Sequence, residues 1–258
     1  MNIKSIILNL NQFSLSNMRR RYNRRLAINN LKKENIYDDI FNYFKKSSST
    51  GISWSDCWEL YNYVRQNKPK NILECGQGAS TFAMALALKK NETEGFPGKI
   101  TAMEELKKYY DIGVDLMPKE LKKYVEFVLS PRVDDYHEIF RGVRYRDIPK
   151  KNFDFIFIDG PHHYSVSDNQ FCFDFDFIHV LKNNSKPITG IIDYRLSTGY
   201  VLQKLLGHEK VKYSYTKELG FISACCKNDI KKLDLEEIKS NFEREFKNPF
   251  NQKINLYG

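Results

Sequence analysis

The stretch NILECGQGAST, residues 71–81, decides the fold of this 258-residue chain. Its first five residues form a short apolar run that ends in glycines, which is typical of a buried parallel strand. Gly76 and Gly78 then lead into an Ala- and Leu-rich segment, Thr81–Lys90, that we predict to be a helix. A strand, a glycine turn and a helix in this order predict the first unit of a parallel α/β sheet.

Strands and helices alternate along the rest of the chain. We predict further strands at Ile100–Met103, Tyr124–Leu129, Phe153–Ile158 and Gly190–Ile192, two closing strands at Val211–Tyr215 and Phe221–Cys225, and helices at Ser167–Leu181 and Thr198–Leu206. Alternation of this kind predicts an α/β fold with a doubly wound, mostly parallel seven-stranded sheet that ends in an antiparallel hairpin.

The segment before the first strand is also predicted to be helical. Apolar residues recur at helical spacing in residues 3–16 and in Ile36–Phe44. Ser53 and Asp56 have the spacing of a capping box, which predicts a helix that ends near Gln66. This region therefore adds a helical N-terminal extension to the α/β fold.

Charge and pattern divide the chain into three parts. We predict a basic helical extension at residues 1–50, the α/β domain at 51–230, and a helix (Leu233–Phe246) with a tail at 231–258. Residues 1–33 contain eight Lys or Arg and no acid, which leaves 33 basic and 32 acidic residues in the remainder. The domain itself is thus nearly neutral, and this argues against a nucleic-acid-binding core.

Three roles are open for the basic arm, residues 1–33. An apolar helical face followed by arginines can lie on an anionic membrane surface, pack on a partner subunit in a homo-oligomer, or remain a solvated tail. No stretch approaches the ~20 apolar residues of a membrane span, and we expect neither a signal peptide nor a transmembrane helix.

The five cysteines have no CxxC spacing, which favours a reducing, cytoplasmic compartment.

Two acids flank the glycine turn. Glu74 lies inside the predicted strand, where a buried carboxylate requires a partner. Glu104 ends the second predicted strand, the place where this architecture holds ribose hydroxyls. The two acids are 30 positions apart, against about 20 in a dinucleotide-binding fingerprint, and the insertion NETEGFPG accounts for the excess.

Several motifs together resemble the class I S-adenosylmethionine-dependent methyltransferases. ILECGQGAST is similar to that family's first motif, ITAMEE to its second strand with a ribose-binding acid, FDFIFIDGPHHY to its fourth strand, GIID to its fifth, and the last two strands to its reversed hairpin. The resemblance covers roughly residues 53–227 and implies a Rossmann-like domain with S-adenosylmethionine as cofactor. The cofactor-binding residues it implies are Glu74, Gly76, Gln77, Gly78, Ser80, Thr81 and Glu104.

The motif DGPHHY supplies the candidate catalytic residues. Asp159 ends the fourth strand, and His162 matches the Asp-Gly-x-His-x-Tyr pattern of several small-molecule methyltransferase groups. A histidine is suited to remove a hydroxyl proton because its ordinary pKa is close to neutral pH. Asp193 after the fifth strand completes the predicted set. We expect His163 to pack and Asp168 to be a solvated helical residue.

The same resemblance raises the question of a metal. In metal-dependent relatives, positions equivalent to Asp159 and Asp193 hold a divalent cation. Tyr194 follows Asp193 where those relatives have another acidic or amide ligand, so bound Mg²⁺ is an open alternative that we do not favour. We assign no metal-binding residues.

The connection between the third and fourth strands contains further candidates. Ser130 and Asp134 either contact the adenine, as the resemblance implies for this region, or cap a turn. Four arginines are either ligands for an acidic acceptor or exposed loop residues: Arg132, Arg141, Arg144 and Arg146.

The leading hypothesis is O-methylation of a small-molecule or sugar-like acceptor. The alternative is a catalytically inactive cofactor-binding or scaffold protein of the same fold. A nucleic-acid methyltransferase comes third, because the domain is nearly neutral and has no Asn/Asp-Pro-Pro-Tyr motif for a flipped base.

Overall fold

A computed structural model describes residues 3–47 and 52–232, with side chains for residues 17–47 and 52–232. The predicted terminal helix, Leu233–Phe246, lies outside the described residues.

Ten strands form two sheets. The strands are β1 (Asn71–Cys75), β2 (Lys99–Glu104), β3 (Val125–Leu129), β4 (Arg132–His137), β5 (Phe140–Tyr145), β6 (Phe155–Ile158), β7 (Phe173–Asp174), β8 (Ile188–Ile192), β9 (Val211–Ser214) and β10 (Leu219–Cys225). The main sheet has seven strands in the order β3–β2–β1–β6–β8–β10–β9, and a small sheet has the order β4–β5–β7. In the main sheet the first five strands are parallel, and β10 is antiparallel to both of its neighbours. The predicted seven-stranded sheet and its reversed end are therefore confirmed.

Eight α-helices accompany the sheets in the described part of the chain. They are α1 (Ile3–Lys33), α2 (Tyr37–Lys46), α3 (Trp54–Asn67), α4 (Ala79–Thr93), α5 (Lys107–Leu116), α6 (Lys119–Lys122), α7 (Asp176–Asn183) and α8 (Leu196–Leu206), followed by a 3₁₀ turn at Lys227–Asp229. The predicted capping box is present, because Ser53 and Asp56 each accept a backbone hydrogen bond from the other at the start of α3.

The main sheet is buried on both faces. Side chains alternate along each strand, so that Ile72 and Phe155 pack against α1 to α4 while Leu73 and Ile156 pack against α7 and α8. This double coverage explains why the central strands are continuous apolar runs in the sequence. It also leaves the carboxyl ends of β1, β2, β6 and β8 together at one edge of the sheet.

The prediction between β3 and α7 was wrong in two places. The connection after β3 contains the β4–β5 hairpin, which the sequence analysis treated as a loop. The helix predicted at Ser167–Leu181 begins only at Asp176, because residues 173–174 pair with β5 instead. The Asp134 carboxylate also accepts hydrogen bonds from the backbone of Val166 and Ser167, which competes with helical hydrogen bonding.

The first part of the N-terminal extension, α1, is one continuous helix of 31 residues, where we predicted a short helix and a basic stretch. Ala27 and Leu31 on α1 are buried in the same core as α3. The division of the chain at residue 50 stays a prediction, although α1 shares its core with the domain. Among the described residues, no helix is long and apolar enough to span a membrane.

Candidate functional site

Two of the cavities at the carboxyl edge of the main sheet contain predicted catalytic residues. The first, which we call the glycine-loop cavity, has a volume of about 370 Å³. Its walls are Tyr43, Ser47, Gly76, Gln77, Gly78, Glu104, Glu105, Leu106, Tyr109, Ile112, Gly113, Tyr145, Asp159, Gly160, Pro161, His162 and Arg195. The second, the arm cavity, has about 420 Å³. Its walls are Arg20, Asn23, Arg24, Ser53, Trp54, Ser55, Asp56, Asp193, Tyr194, Thr216, Lys217 and Glu218.

The glycine loop packs closely against the turn that follows β6. Gly76 has a φ of +99°, and a Cβ atom at this residue would lie 2.9 Å from the backbone oxygen of Asp159. Only glycine meets both conditions without strain. The backbone N–H groups of Gly76 and Gln77 donate to the Met103 carbonyl at 3.2 and 3.0 Å. The loop is thus held between β2 and β6, with its backbone in the cavity wall.

Glu74 lies under this loop and is fully buried. Among the described residues, neither of its carboxylate oxygens has a hydrogen-bond partner. Burial raises the pKa of Glu74 to about 8, and the hydroxyls of Ser80 and Thr81 oppose this rise without forming hydrogen bonds of normal geometry. The side chain therefore carries a proton at neutral pH.

The other predicted residues of the loop have different positions. Ser80 and Thr81 are buried below the loop and outside the cavity wall, where the Thr81 hydroxyl accepts a hydrogen bond from the Gly78 N–H at 2.9 Å. Gln77 lies in the wall and donates to the Tyr109 carbonyl on α5. Its amide contacts Gly113, which leaves no room for a larger residue there. Gln77 thereby connects the glycine loop to α5.

Glu104 lies in the cavity wall at the end of β2, as predicted. Its Oε1 atom accepts the backbone N–H groups of Glu105 and Leu106, both at 2.8 Å. No described group donates to Oε2, which leaves an acceptor for a pair of ligand hydroxyls. Three features of this site fit the cofactor that the resemblance implies. They are the buried Glu74 without a described partner, the backbone of the glycine loop in the cavity wall, and the Oε2 atom of Glu104 without a described donor. The cofactor-binding assignments stay predictions.

Asp159 and Asp193 connect the two cavities. Asp159 lies in the wall of the glycine-loop cavity and Asp193 in the wall of the arm cavity. Burial and the negative charge of Asp193 raise the pKa of Asp159, and burial also raises the pKa of Asp193. The two carboxyl groups therefore lie close enough to share a proton.

The sequence analysis missed Arg195, which holds the turn after β6. Its guanidinium donates to the backbone carbonyls of Asp159 at 2.6 Å and Pro161 at 2.8 Å. It also forms a 2.7 Å ion pair with the buried Asp174, which accepts a second hydrogen bond from Thr198 at 2.6 Å. The segment FCFDFDF, residues 171–177, could have predicted a buried cation near Asp174, because acids inside an apolar run require buried partners.

His162 is exposed in the wall of the glycine-loop cavity. Its backbone N–H donates to Glu105 at 2.9 Å, and Glu105 also pairs with Arg132 at 2.7 Å. Its ring stacks on His163, which in turn contacts Phe171. His163 therefore packs within an aromatic cluster. Among the described residues, no group hydrogen-bonds to the His162 ring.

The other candidates of the third connection make structural contacts. The Ser130 hydroxyl accepts from the Asp147 N–H at 2.9 Å, which is a turn contact. Asp168 lies in a loop and pairs with Arg141, where we had expected a helical residue. All four arginines are in ion pairs, namely Arg132 with Glu105, Arg141 with Asp134 and Asp168, Arg144 with Asp135, and Arg146 with Asp147.

Three further wall residues were also missed. Tyr145 on β5 is buried, and its hydroxyl would lie 2.6 Å from a Cβ atom at Gly160. Tyr43 and Ser47 come from α2 and its end, which means that the N-terminal extension contributes to the glycine-loop cavity. Their sequence neighbourhood has no signal for this role, because a tyrosine on an amphipathic helix is usually a packing residue. Within the described ranges, no group of three His, Cys, Asp or Glu is arranged to hold a metal ion.

Comparison with known proteins agrees with this geometry. Residues 73–184 match the family described as "Methyltransferase domain". No curated protein matches the chain. A structure described as a protein-L-isoaspartate O-methyltransferase from Plasmodium falciparum, in complex with S-adenosyl-L-homocysteine, is 14% identical, with 66% of this chain and 83% of that chain covered and a TM-score of 0.35. The structure of EvdMO1 is 11% identical, with 80% of this chain and 54% of that chain covered and a TM-score of 0.35.

We rest the assignment on the matched family and on the strand order of the main sheet, since these two structures are too distant to add to it. The match extends from β1 to the end of α7 and includes the glycine loop, Glu104 and Asp159. Residues 73–184 are therefore similar to a methyltransferase domain, and the main sheet has the fold that the resemblance to class I S-adenosylmethionine-dependent methyltransferases implies.

Proposed function

We propose that this protein transfers a methyl group from S-adenosylmethionine to an oxygen atom of a small-molecule acceptor. The observation that carries the proposal is the carboxyl pair of Asp159 and Asp193. One carboxyl lies in the wall of each cavity, and the two interact at the carboxyl edge of the sheet. This is the edge at which open α/β sheets bind their ligands.

The cofactor, when bound, supplies an electrophilic methyl group on a sulfonium and leaves as S-adenosylhomocysteine. The residues of the glycine-loop cavity would hold it. Glu104 Oε2 would accept hydrogen bonds from ribose hydroxyls, and the backbone at Gly76 and Gly78 would lie against the ligand. Arg195 would keep the Asp159 turn in place through its two carbonyl contacts.

The residues of this chain must also accept a proton. As the new O–C bond forms and the S–C bond breaks, the acceptor hydroxyl loses its proton, and we assign that proton to the Asp159–Asp193 pair. Asp159, whose pKa is raised further, holds the shared proton, and the Asp193 carboxylate, whose pKa burial also raises, is the base that remains. His162 lies on the same wall as Asp159 and is the second candidate for this role.

The sizes of the two cavities favour a small acceptor. Volumes of about 370 and 420 Å³ lie in the range of small-molecule sites. The net charge of the chain outside residues 1–33 is close to zero, which argues against a nucleic-acid-binding core. The rival is a scaffold protein that binds the cofactor without transferring its methyl group.

Calorimetry and methyl transfer test the proposal together. Wild-type protein is titrated with S-adenosylhomocysteine and then incubated with labelled S-adenosylmethionine and a panel of hydroxylated small molecules, with and without excess chelator. Asp193→Asn, in the wall of the arm cavity, is expected to keep its affinity for S-adenosylhomocysteine and to lose about 10²–10⁴-fold in turnover, as expected for the loss of a general base. The exposed Asp115→Asn is the matched control.

Each outcome has a distinct meaning. Folded protein that binds no S-adenosylhomocysteine would reject the cofactor, and binding without transfer to any acceptor would favour the scaffold. Equal turnover of Asp193→Asn and Asp115→Asn would reject the carboxyl pair. A rate loss seen only in His162→Ala would assign the proton to the imidazole, and activity abolished by chelator would restore the metal alternative.

A further inference from the structure

We propose that the arm cavity binds the methyl acceptor and that helix α1 selects an acceptor with an anionic group, a phosphate or a carboxylate, held by Arg24. The inference rests on the proposed function, since it identifies the substrate class of the same site. It also makes α1 part of the site, whereas the three roles predicted for residues 1–33 were contact with a membrane, contact with a partner subunit, or a solvated tail.

The rotation of α1 about its axis is determined by its packing. Ala27 and Leu31 are 2% and 0% exposed, and residues spaced like these lie on the same face of a helix as Arg20 and Arg24. Burial of the two apolar residues therefore directs the two arginines toward the domain. The neighbouring Arg25 is about 100° around the helix and lies outside the cavity wall.

Contacts with the β9–β10 turn hold the basic half of α1 in place. Glu218 accepts two hydrogen bonds from Arg20, at 2.9 and 3.0 Å. Asn23 donates to the Thr216 carbonyl in the same turn. Because these residues hold α1 at the carboxyl edge of the sheet, the helix forms one wall of the cavity that has Asp193 in another.

Arg24 is the basic group of this cavity that has no partner. Arg20 pairs with Glu218, and Lys217 pairs with Glu59 at 2.8 Å. In the parts of the chain with described side chains, no carboxylate lies within ion-pair distance of Arg24. Arg24 is exposed and lies in the wall of the cavity, and an unpaired guanidinium in such a place is suited to bind a phosphate or carboxylate of the ligand.

Two of the three acids of the cavity are engaged by other groups. Asp56 is the capping-box acid of α3, where its carboxylate accepts the Ser53 N–H at 2.7 Å. Glu218 is neutralised by Arg20, and Asp193 is the proposed proton acceptor. The N-terminus of α3 lies in the same wall and adds partial positive charge. The cavity therefore combines a proton acceptor at Asp193 with an anion site at Arg24, which fits a small hydroxylated anion.

The test compares charged and neutral probes on the full chain saturated with S-adenosylhomocysteine. Glucose 6-phosphate, galacturonate and glucose are titrated at low salt, with ligand-observed NMR and calorimetry as readouts. We expect glucose 6-phosphate or galacturonate to bind at least about tenfold more tightly than glucose, and the stronger of the two identifies phosphate or carboxylate as the preferred group. Arg24→Gln should weaken that binding about tenfold or more, as expected for loss of a charged hydrogen-bond donor.

Arg25→Gln is the matched control, since it removes the same charge one residue away from the cavity. It should bind the anions as wild type does, and Arg24→Lys should retain part of the affinity. All variants should bind S-adenosylhomocysteine equally, which shows that they are folded and separates this test from failure of the proposed function. Equal effects of Arg24→Gln and Arg25→Gln, anions that bind no better than glucose, or no binding of either anion at millimolar concentration would each overturn the proposal.

Discussion

Among single residues, Glu74 has an unfavourable environment, because it is fully buried and its oxygens have no partner among the described groups. Burial raises its pKa from 4.5 to about 8. Between these values the folded chain binds a proton that the unfolded chain has released, so that stability falls as pH rises from about 5 to about 8. We expect Glu74→Gln to gain stability relative to wild type by up to about 1.4 kcal/mol per pH unit in this window. Urea denaturation at several pH values measures this, with the exposed Glu120→Gln as control; parallel curves for wild type and Glu74→Gln would reject a buried proton.

At the scale of one element, α1 is basic over its surface yet anchored by an apolar face. Leu31 is fully buried against the core that contains Leu60 and Val64, while Leu26 on the same helix is 43% exposed. Leu31→Ala should therefore cost about 2–5 kcal/mol of unfolding free energy, and Leu26→Ala less than about 1 kcal/mol. The two variants have the same change in helix propensity, so that their difference measures docking of α1. Equal denaturation midpoints would mean that α1 does not pack on the domain in solution.

For the whole molecule, the outer face of α1 favours the membrane role among the three roles considered for the arm. Met18, Tyr22 and Leu26 form an exposed stripe at helical spacing, opposite the face that packs on the domain. The arm carries eight basic residues and no acid, so that two copies would repel each other while an anionic bilayer would attract it. We expect the chain to sediment with vesicles containing phosphatidylglycerol but not with pure phosphatidylcholine, less at high salt, and several-fold less after the three stripe residues are replaced by serine. Binding that is the same for both lipids, or a dimer that the serine variant abolishes, would contradict this.

Much of the fold could be predicted because its signals are local. The bounds of β1 were predicted without error, since a continuous apolar run that ends in glycines has few alternatives. The capping box of α3 depends on residues three positions apart, and the pattern was sufficient. The β4–β5 hairpin was missed because its strands are only partly buried and carry charged residues at five of their twelve positions. Side-chain contacts of Asp134 and Arg141 then prevented the helix predicted from Ser167.

The sequence by itself determined the order of strands and helices, the glycine loop, and the acids at the strand ends, because each depends on spacing within a few residues or on the parallel sheet that the alternation requires. Only the tertiary structure decided which groups meet at the carboxyl edge. It paired Arg195 with Asp174, 21 positions away, and it brought Arg24 of the N-terminal helix into the same cavity as Asp193. Such contacts follow from how α1, α3 and the β9–β10 turn pack on one another, and packing between distant segments leaves no periodic pattern in the chain. The apolar spacing of Ala27 and Leu31 sets which side of α1 faces the domain, but only the packed neighbours determine what that side contacts.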